Sequence, residues 1–128
     1  IAKAAARIRA GLQAGLTLGN LDARRDWGYA PDYVRAMWLM LHRDAPGDFV
    51  VATGEMHTVR EFCDLAFQAV GLDWQEYVHE GERYRRPAEV DELCGDATIA
   101  RSVLRWEPTV RFKTLVGLMV EAEMEAIG

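Results

Sequence analysis

The sequence predicts an α/β fold in which a small sheet is layered with helices. Several stretches repeat apolar residues at helical spacing, and short runs of β-forming residues stand between them. The chain has 128 residues, half of them apolar, which is enough for one domain with its own core.

Residues 2–12 are rich in Ala and Arg and read as the first helix, with Gly11 and Gly15 loosening its end. Leu16-Thr17-Leu18 reads as a strand running into a Gly19-Asn20 turn. Pro31 fits the first turn of a second helix. Tyr33, Val34, Met37, Trp38 and Leu41 then recur at helical spacing and predict a buried stripe through Arg43. Pro46-Gly47 ends that segment. Phe49-Val50-Val51-Ala52 is a continuous apolar run, the pattern of a strand covered on both faces. Thr58 followed by Glu61 is a capping box, and Val59, Phe62, Ala66, Ala69 and Val70 continue it as an amphipathic helix that Gly71 closes. Residues 73–92 are polar and irregular, with a possible strand at Tyr77-Val78-His79. Asp96 can cap a short helix through Leu104. Pro108 interrupts the chain before a final helix from Phe112 to Ala126. The order α-β-α-β-α-(β)-α-α is a mixed α/β layer, not a complete doubly wound domain.

The formal net charge of −5 argues against a general nucleic-acid binder, which carries a basic face. Positive charge is almost all arginine, thirteen against Lys3 and Lys113, and arginine suits forked contacts with phosphate or carboxylate. No apolar run is long enough to span a membrane, and no signal peptide is visible. Cys63 and Cys94 have neither metal-ligand nor CxxC spacing, so a reducing, cytoplasmic setting is expected. The chain opens Ile1-Ala2-Lys3 inside what reads as helix, and its start is expected to be a cut.

Several chemical motifs are missing from the sequence. It has no GxGxxG or GxxGxxG turn, no Walker loop, and no Tyr followed four residues later by Lys. His42, His57 and His79 are scattered, which suits surface or capping roles better than catalysis. Two segments remain. In residues 20–28, Asn-Leu-Asp-Ala-Arg-Arg-Asp-Trp-Gly, a strand feeds two adjacent arginines. Either Asp26 pairs with an arginine while Trp27 fills core, or the arginines clamp an anion. In residues 83–91, Arg-Tyr-Arg-Arg-Pro-Ala-Glu-Val-Asp, the loop either holds local ion pairs or divides one ligand. In the second case Arg86 takes phosphate and Glu89 accepts from ribose hydroxyls. Asp96, Ala100, Leu104, Trp106 and Pro108 carry packing and capping meaning.

At these residues the sequence resembles a known family. Residues 18–28 resemble the LGNLDAxRDWG segment of GDP-mannose 4,6-dehydratases. Tyr33-Val34, Met37 to Leu41, Asp48 to Glu55, Thr58 to Phe62, the YxRPAEVD segment at Tyr84 to Asp91, and Gly95-Asp96 follow as in that family. The resemblance covers essentially the whole chain. It implies the small mixed α/β substrate-binding domain of an extended short-chain dehydrogenase/reductase, spanning residues 1–128 as a carboxyl-terminal part, with the Rossmann domain absent from this chain. It further implies an enzyme that converts GDP-D-mannose to GDP-4-keto-6-deoxy-D-mannose with NADP, whose binding site and catalytic residues lie in the missing amino-terminal domain. Arg25 and Arg86 match diphosphate and nucleotide contacts, Glu89 a ribose contact, and Asn20 the same cleft. A family lysine that touches the ligand falls just before Ile1. Arg85 departs from the aromatic residue usual in relatives. Residues 78–84 lack a longer insert that some relatives carry. GDP-mannose is the implied partner, a homo-oligomer the implied assembly, and GDP-fucose or another GDP-deoxysugar the implied end of the route. Two other readings stand beside this one. The chain could come from another sugar-nucleotide epimerase or dehydratase, or it could be a non-catalytic α/β interaction module. The Ala-rich first helix and the sheet are expected to face the neighbouring domain, leaving an apolar patch on this chain.

Since the sequence holds neither a dinucleotide turn nor a Tyr/Lys pair, this chain alone is expected to be inactive and not to retain NADP. Incubation with GDP-mannose and NADP, followed by mass spectrometry, checks this. Loss of water above a blank contradicts it.

Overall fold

The computed structural model describes residues 1–88, 90 and 92–128. Its helices are α1 (Ala2–Arg9), α2 (Ala30–Leu41), α3 (Val59–Ala69), α4 (Thr98–Leu104) and α5 (Phe112–Ile127). Its strands are β1 (Leu16–Leu18), β2 (Arg24–Arg25), β3 (His57–Thr58), β4 (Val78–Glu80) and β5 (Glu92–Leu93). They form two small sheets. β1 pairs in parallel with β4, Leu16 opposite Val78. β2 lies between β3, antiparallel, and β5, parallel.

The main core gathers α1, α3 and α5. Ala2, Ala5, Ile8, Phe62, Phe67 and Val116 are buried in it, and small alanines let α1 approach its neighbours closely. The first helix is therefore interior and does not present the apolar face expected of it. Cys63 is fully buried here, and burial pushes its thiol up to about 11, so it is an inert packing group. At the start of α3, the Thr58 hydroxyl accepts from Glu61 N at 3.0 Å and the Glu61 carboxylate accepts from Thr58 N at 3.1 Å. The predicted capping box is formed, and Gly71 ends the helix region at φ +73°.

A second, smaller core holds Ala36, Ala97, Ala100, Leu104 and Trp106. It corrects the predicted stripe on α2. Asp32 and Ala36 are the buried residues of that helix, whereas Val34, Met37, Trp38 and Leu41 are 57–83% exposed. Tyr33 of the predicted stripe packs against this core, with its ring 6.0 Å from that of Trp106, but the rest of the apolar face points away from it. The run 49–52 is also corrected. It is assigned to no strand, Phe49 and Val51 lie against the smaller core, and Val50 is 55% exposed. The run has the residues of a strand but no ladder partner among the described residues.

Asp32 ties α2 to the turn before α5. Its carboxylate accepts from Thr109 Oγ1 at 2.6 Å, Thr109 N at 2.8 Å and Val110 N at 3.2 Å, while the Trp106 indole donates to the Asp32 carbonyl at 2.8 Å. Burial by itself would raise the carboxyl, but these hydrogen bonds and the nearby Arg35 charge outweigh it and hold the pKa below the ordinary range. A depressed folded-state pKa contributes stability above the unfolded value of about 3.9. That contribution is lost as pH falls through the folded value. Thermal unfolding followed from pH 6 to pH 2 should therefore show an acid limb that flattens in Asp32→Asn. At neutral pH this variant should lose about 1–3 kcal/mol. An acid limb unchanged in Asp32→Asn removes Asp32 as its cause.

Candidate functional site

The segment 24–28 is pulled in several directions. Adjacent strand residues point to opposite faces. Arg24 therefore reaches across to Glu92 at 3.3 Å, while Arg25 turns to the other side and lines a cleft. Asp26 then accepts from Thr53 N at 3.0 Å, Thr53 Oγ1 at 2.5 Å and Gly54 N at 2.9 Å. Its described partners are thus a backbone turn and a hydroxyl, in place of the arginine that one of the two sequence readings gave it. Trp27 stacks on Phe112 at 5.6 Å and meets Phe62 edge-on at 5.4 Å, in line with its reading as core.

Arg25 shares its cleft, of about 340 Å³, with Asn20 and Arg86. Leu18, Gly19, Ala23, Val59 and Tyr84 complete most of its wall. Three of the residues singled out from sequence thus stand around one opening, although some 60 positions separate the first two from the third. Glu89 lies outside the described residues. The Asn20 side-chain oxygen accepts from Asp22 N at 3.0 Å and sets the turn that follows β1.

Two further groups shape this cleft, and sequence reasoning passed over the first. Glu80 at the end of β4 accepts from Leu21 N at 3.3 Å and from Arg85 at 3.4 Å, so one carboxylate ties the 20–22 turn to the Arg85-Arg86 loop. No local motif marks Glu80. Gly19 packs against that same loop, and a Cβ at this position would sit 2.5 Å from the Tyr84 carbonyl oxygen. The sequence places this glycine in a turn, and its further role is this close approach. Arg85, where an aromatic was expected, is exposed and reaches Glu80.

The histidines remain apart. His57 stacks on Phe112 at 3.9 Å and contacts the α3-capping Glu61 at 2.9 Å. His42 stacks on Trp38, and its Nδ1 is 2.8 Å from the Trp38 carbonyl. No cluster of three or more His, Cys, Asp or Glu suits a metal ion among the described residues. No helix there is long and apolar enough to cross a membrane.

Small sheets pack over a helical core, and Arg25 of β2 meets Arg86 of a distant loop at a cleft. This is a mixed α/β part of the extended short-chain dehydrogenase/reductase fold. A Pseudomonas aeruginosa structure described as RMD complexed with NADPH superposes at a TM-score of 0.86 over 98% of this chain and 41% of its own, at 22% identity, a likeness of fold. UDP-glucose 4-epimerase from Thermotoga maritima, solved with UDP-glucose, gives 0.80 over 97% and 38%, at 26% identity. The chain belongs to the GDP-mannose 4,6-dehydratase family, whose model matches residues 1–119. It is 56% identical to GDP-mannose 4,6 dehydratase 2 of Arabidopsis thaliana over 98% of this chain and 34% of that protein. Identity to the human GDP-mannose 4,6 dehydratase is 46%, over 98% and 38%. The chain thus spans little more than a third of these relatives' length.

The Gly19 contact is a direct test of how the cleft is built. Gly19→Ala must push the Tyr84-Arg85 backbone outward. It should destabilise the chain by about 1–3 kcal/mol and speed hydrogen exchange at residues 81–86 more than in α3. Equal effects in both regions would mean that this contact does not hold the loop.

Proposed function

We propose that this chain forms the GDP-mannose-binding part of a GDP-mannose 4,6-dehydratase, a lyase that yields GDP-4-keto-6-deoxy-D-mannose. The observation that carries this reading is the placement of Arg25, on β2, and Arg86, from a distant loop, at one cleft beside Asn20. A diphosphate offers each guanidinium a pair of oxygens, which suits the planar fork of arginine. On this reading Glu89 accepts hydrogen bonds from the ribose, and Glu80 acts as a positioning residue beneath Arg85-Arg86.

The residues present do not fit a dinucleotide site. The described strand-to-helix links, β2–α2, β3–α3 and β5–α4, hold at most one glycine each, Gly28 and Gly95, and none has the GxGxxG turn of a dinucleotide site. NADP therefore belongs elsewhere in the full enzyme, in a preceding Rossmann domain, and no hydride step is assigned to this chain. The full enzyme is proposed to be a cytoplasmic homo-oligomer on a route to GDP-fucose or a related GDP-deoxysugar.

The substrate's diphosphate keeps its charge throughout the reaction, so contacts to it are equally strong in ground and transition states. Such uniform binding sets the Michaelis constant and leaves turnover alone. A charge-assisted hydrogen bond contributes about 1.5–3 kcal/mol, or roughly ten- to a hundredfold in affinity. In a full-length enzyme carrying this segment, Arg86→Ala should raise KM for GDP-mannose by that factor with kcat nearly intact, and Arg86→Lys should recover part of it. Steady-state kinetics decides the matter. An unchanged KM makes Arg86 a solvated loop residue, whose pairing is worth about 0–1 kcal/mol. A collapse of kcat gives it a different role. Inhibition by GDP but not UDP separates this reading from that of a uridine-nucleotide epimerase.

A further inference from the structure

We propose that the cleft between α2, α4 and the turn at 105–109 is a second anion site, built by Arg35, Arg101 and Arg105, that takes a small phosphate-bearing molecule. The cleft measures about 430 Å³ and is completed by Glu107, Pro108 and Thr109. That volume suits a small ligand. Its charged lining is three guanidiniums against one carboxylate, in a chain whose formal net charge is −5.

Two of the three arginines are held differently from the ion-paired arginines of this chain. Arg24, Arg60, Arg85 and Arg111 each form an ion pair with a carboxylate. Arg35 and Arg101 are instead held by backbone carbonyls, those of Glu107 and Thr53 respectively. A carbonyl fixes a guanidinium in place without neutralising it. Asp32 beside Arg35 and Asp96 beside Arg101 keep their charges, but neither lines the cleft, where three guanidiniums face one carboxylate. Asp32 holds Thr109 and Val110, and Asp96 holds Thr98. Both anchoring carbonyls lie on segments that are themselves fixed, Thr53 by Asp26 and the 106–110 turn by Asp32. Two cations are therefore set in position before any ligand arrives, which lowers the ordering cost of binding.

Arg105 is the second observation. It ends α4 in the left-handed region, at φ 53°, ψ 36°, and no other non-glycine residue described has a positive φ. Glycine is the residue that adopts this conformation without cost at a helix end. A long charged side chain at such a position costs stability, and a backbone outlier of this kind points to a role for the side chain. Here the side chain completes the cationic lining of the cleft. Arginine's fork matches phosphate oxygens.

The test must keep this cleft apart from that of Arg25 and Arg86, which would also attract phosphate. The background variant is therefore the full chain carrying Arg25→Ala and Arg86→Ala. Inorganic pyrophosphate is titrated into the 15N-labelled protein at low salt, and the amide signals of residues 101–109 are followed. We expect these signals to shift and the affinity to fall with added salt. Adding Arg105→Gly should weaken binding about tenfold, the loss of one charge-assisted contact. It should leave the melting temperature equal or higher, because glycine relieves the left-handed residue. Arg101→Gln should weaken binding similarly. The inference is overturned if residues 101–109 do not respond, or if Arg105→Gly binds pyrophosphate as tightly as the background. It is also overturned if poly-glutamate binds there and pyrophosphate does not, since the cleft would then receive an acidic protein segment.

Discussion

The carboxylate of Asp26 ties the end of β2 to the turn at 53–54 beyond α2. Its oxygens accept from Thr53 N, Thr53 Oγ1 and Gly54 N, across 27 residues that include the whole of α2. Because Asp26 is fixed there, its neighbours have little choice. Arg24 and Arg25 fall on opposite sides of β2, and Trp27 drops between Phe112 and Phe62. Gly28 lies against Tyr33, where a Cβ would stand 2.0 Å from the phenol oxygen. One short run of sequence thus supplies a cleft residue, a tie, a core ring and a close contact.

The same tie connects the two arginine clefts. On one side of it, Arg25 lines the opening shared with Asn20 and Arg86. On the other, the Thr53 carbonyl that Asp26 helps to place accepts from Arg101 at 3.3 Å. Neither cleft is formed by one element. Each combines groups from distant parts of the sequence, so each depends on the long-range polar contacts as much as on the local helices.

That dependence explains what could be read from the sequence. Features governed by neighbours a few residues away were legible, including the Thr58–Glu61 capping box, the Gly71 stop and the Leu16–Leu18 strand. Features governed by distant partners were not. The spacing of Val34, Met37, Trp38 and Leu41 identifies an apolar face of α2, but says nothing of what lies against it, and those residues are exposed while Asp32 is buried. Phe49-Val50-Val51-Ala52 has strand chemistry, yet a strand is defined by its ladder partner. The pairing of Arg25 with Arg86 followed from family resemblance, since no spacing rule joins positions so far apart. Glu80 was missed altogether, because its role lies in receiving Leu21 N and Arg85 from two separate turns.

The two cores are also stabilised by different forces. Around α1, α3 and α5, thirteen buried apolar residues are described, among them Phe62, Phe67 and Phe112. Around α2 and α4 there are five, three of them alanines. Apolar burial contributes roughly 25 cal/mol per Å², so the second region gains much less from it. It is held by Asp26 and Asp32, each accepting three hydrogen bonds, and by the Trp106 indole donating to a backbone carbonyl. Breaking such a contact leaves a polar group without its partner and costs more than the contact itself contributes. The region is therefore precise in geometry but shallow in stability, and local opening should begin there rather than in the helical core. Arg35, Arg101 and Arg105 all stand on this more weakly buried half. An anion bridging them would add cross-links where apolar packing supplies fewest.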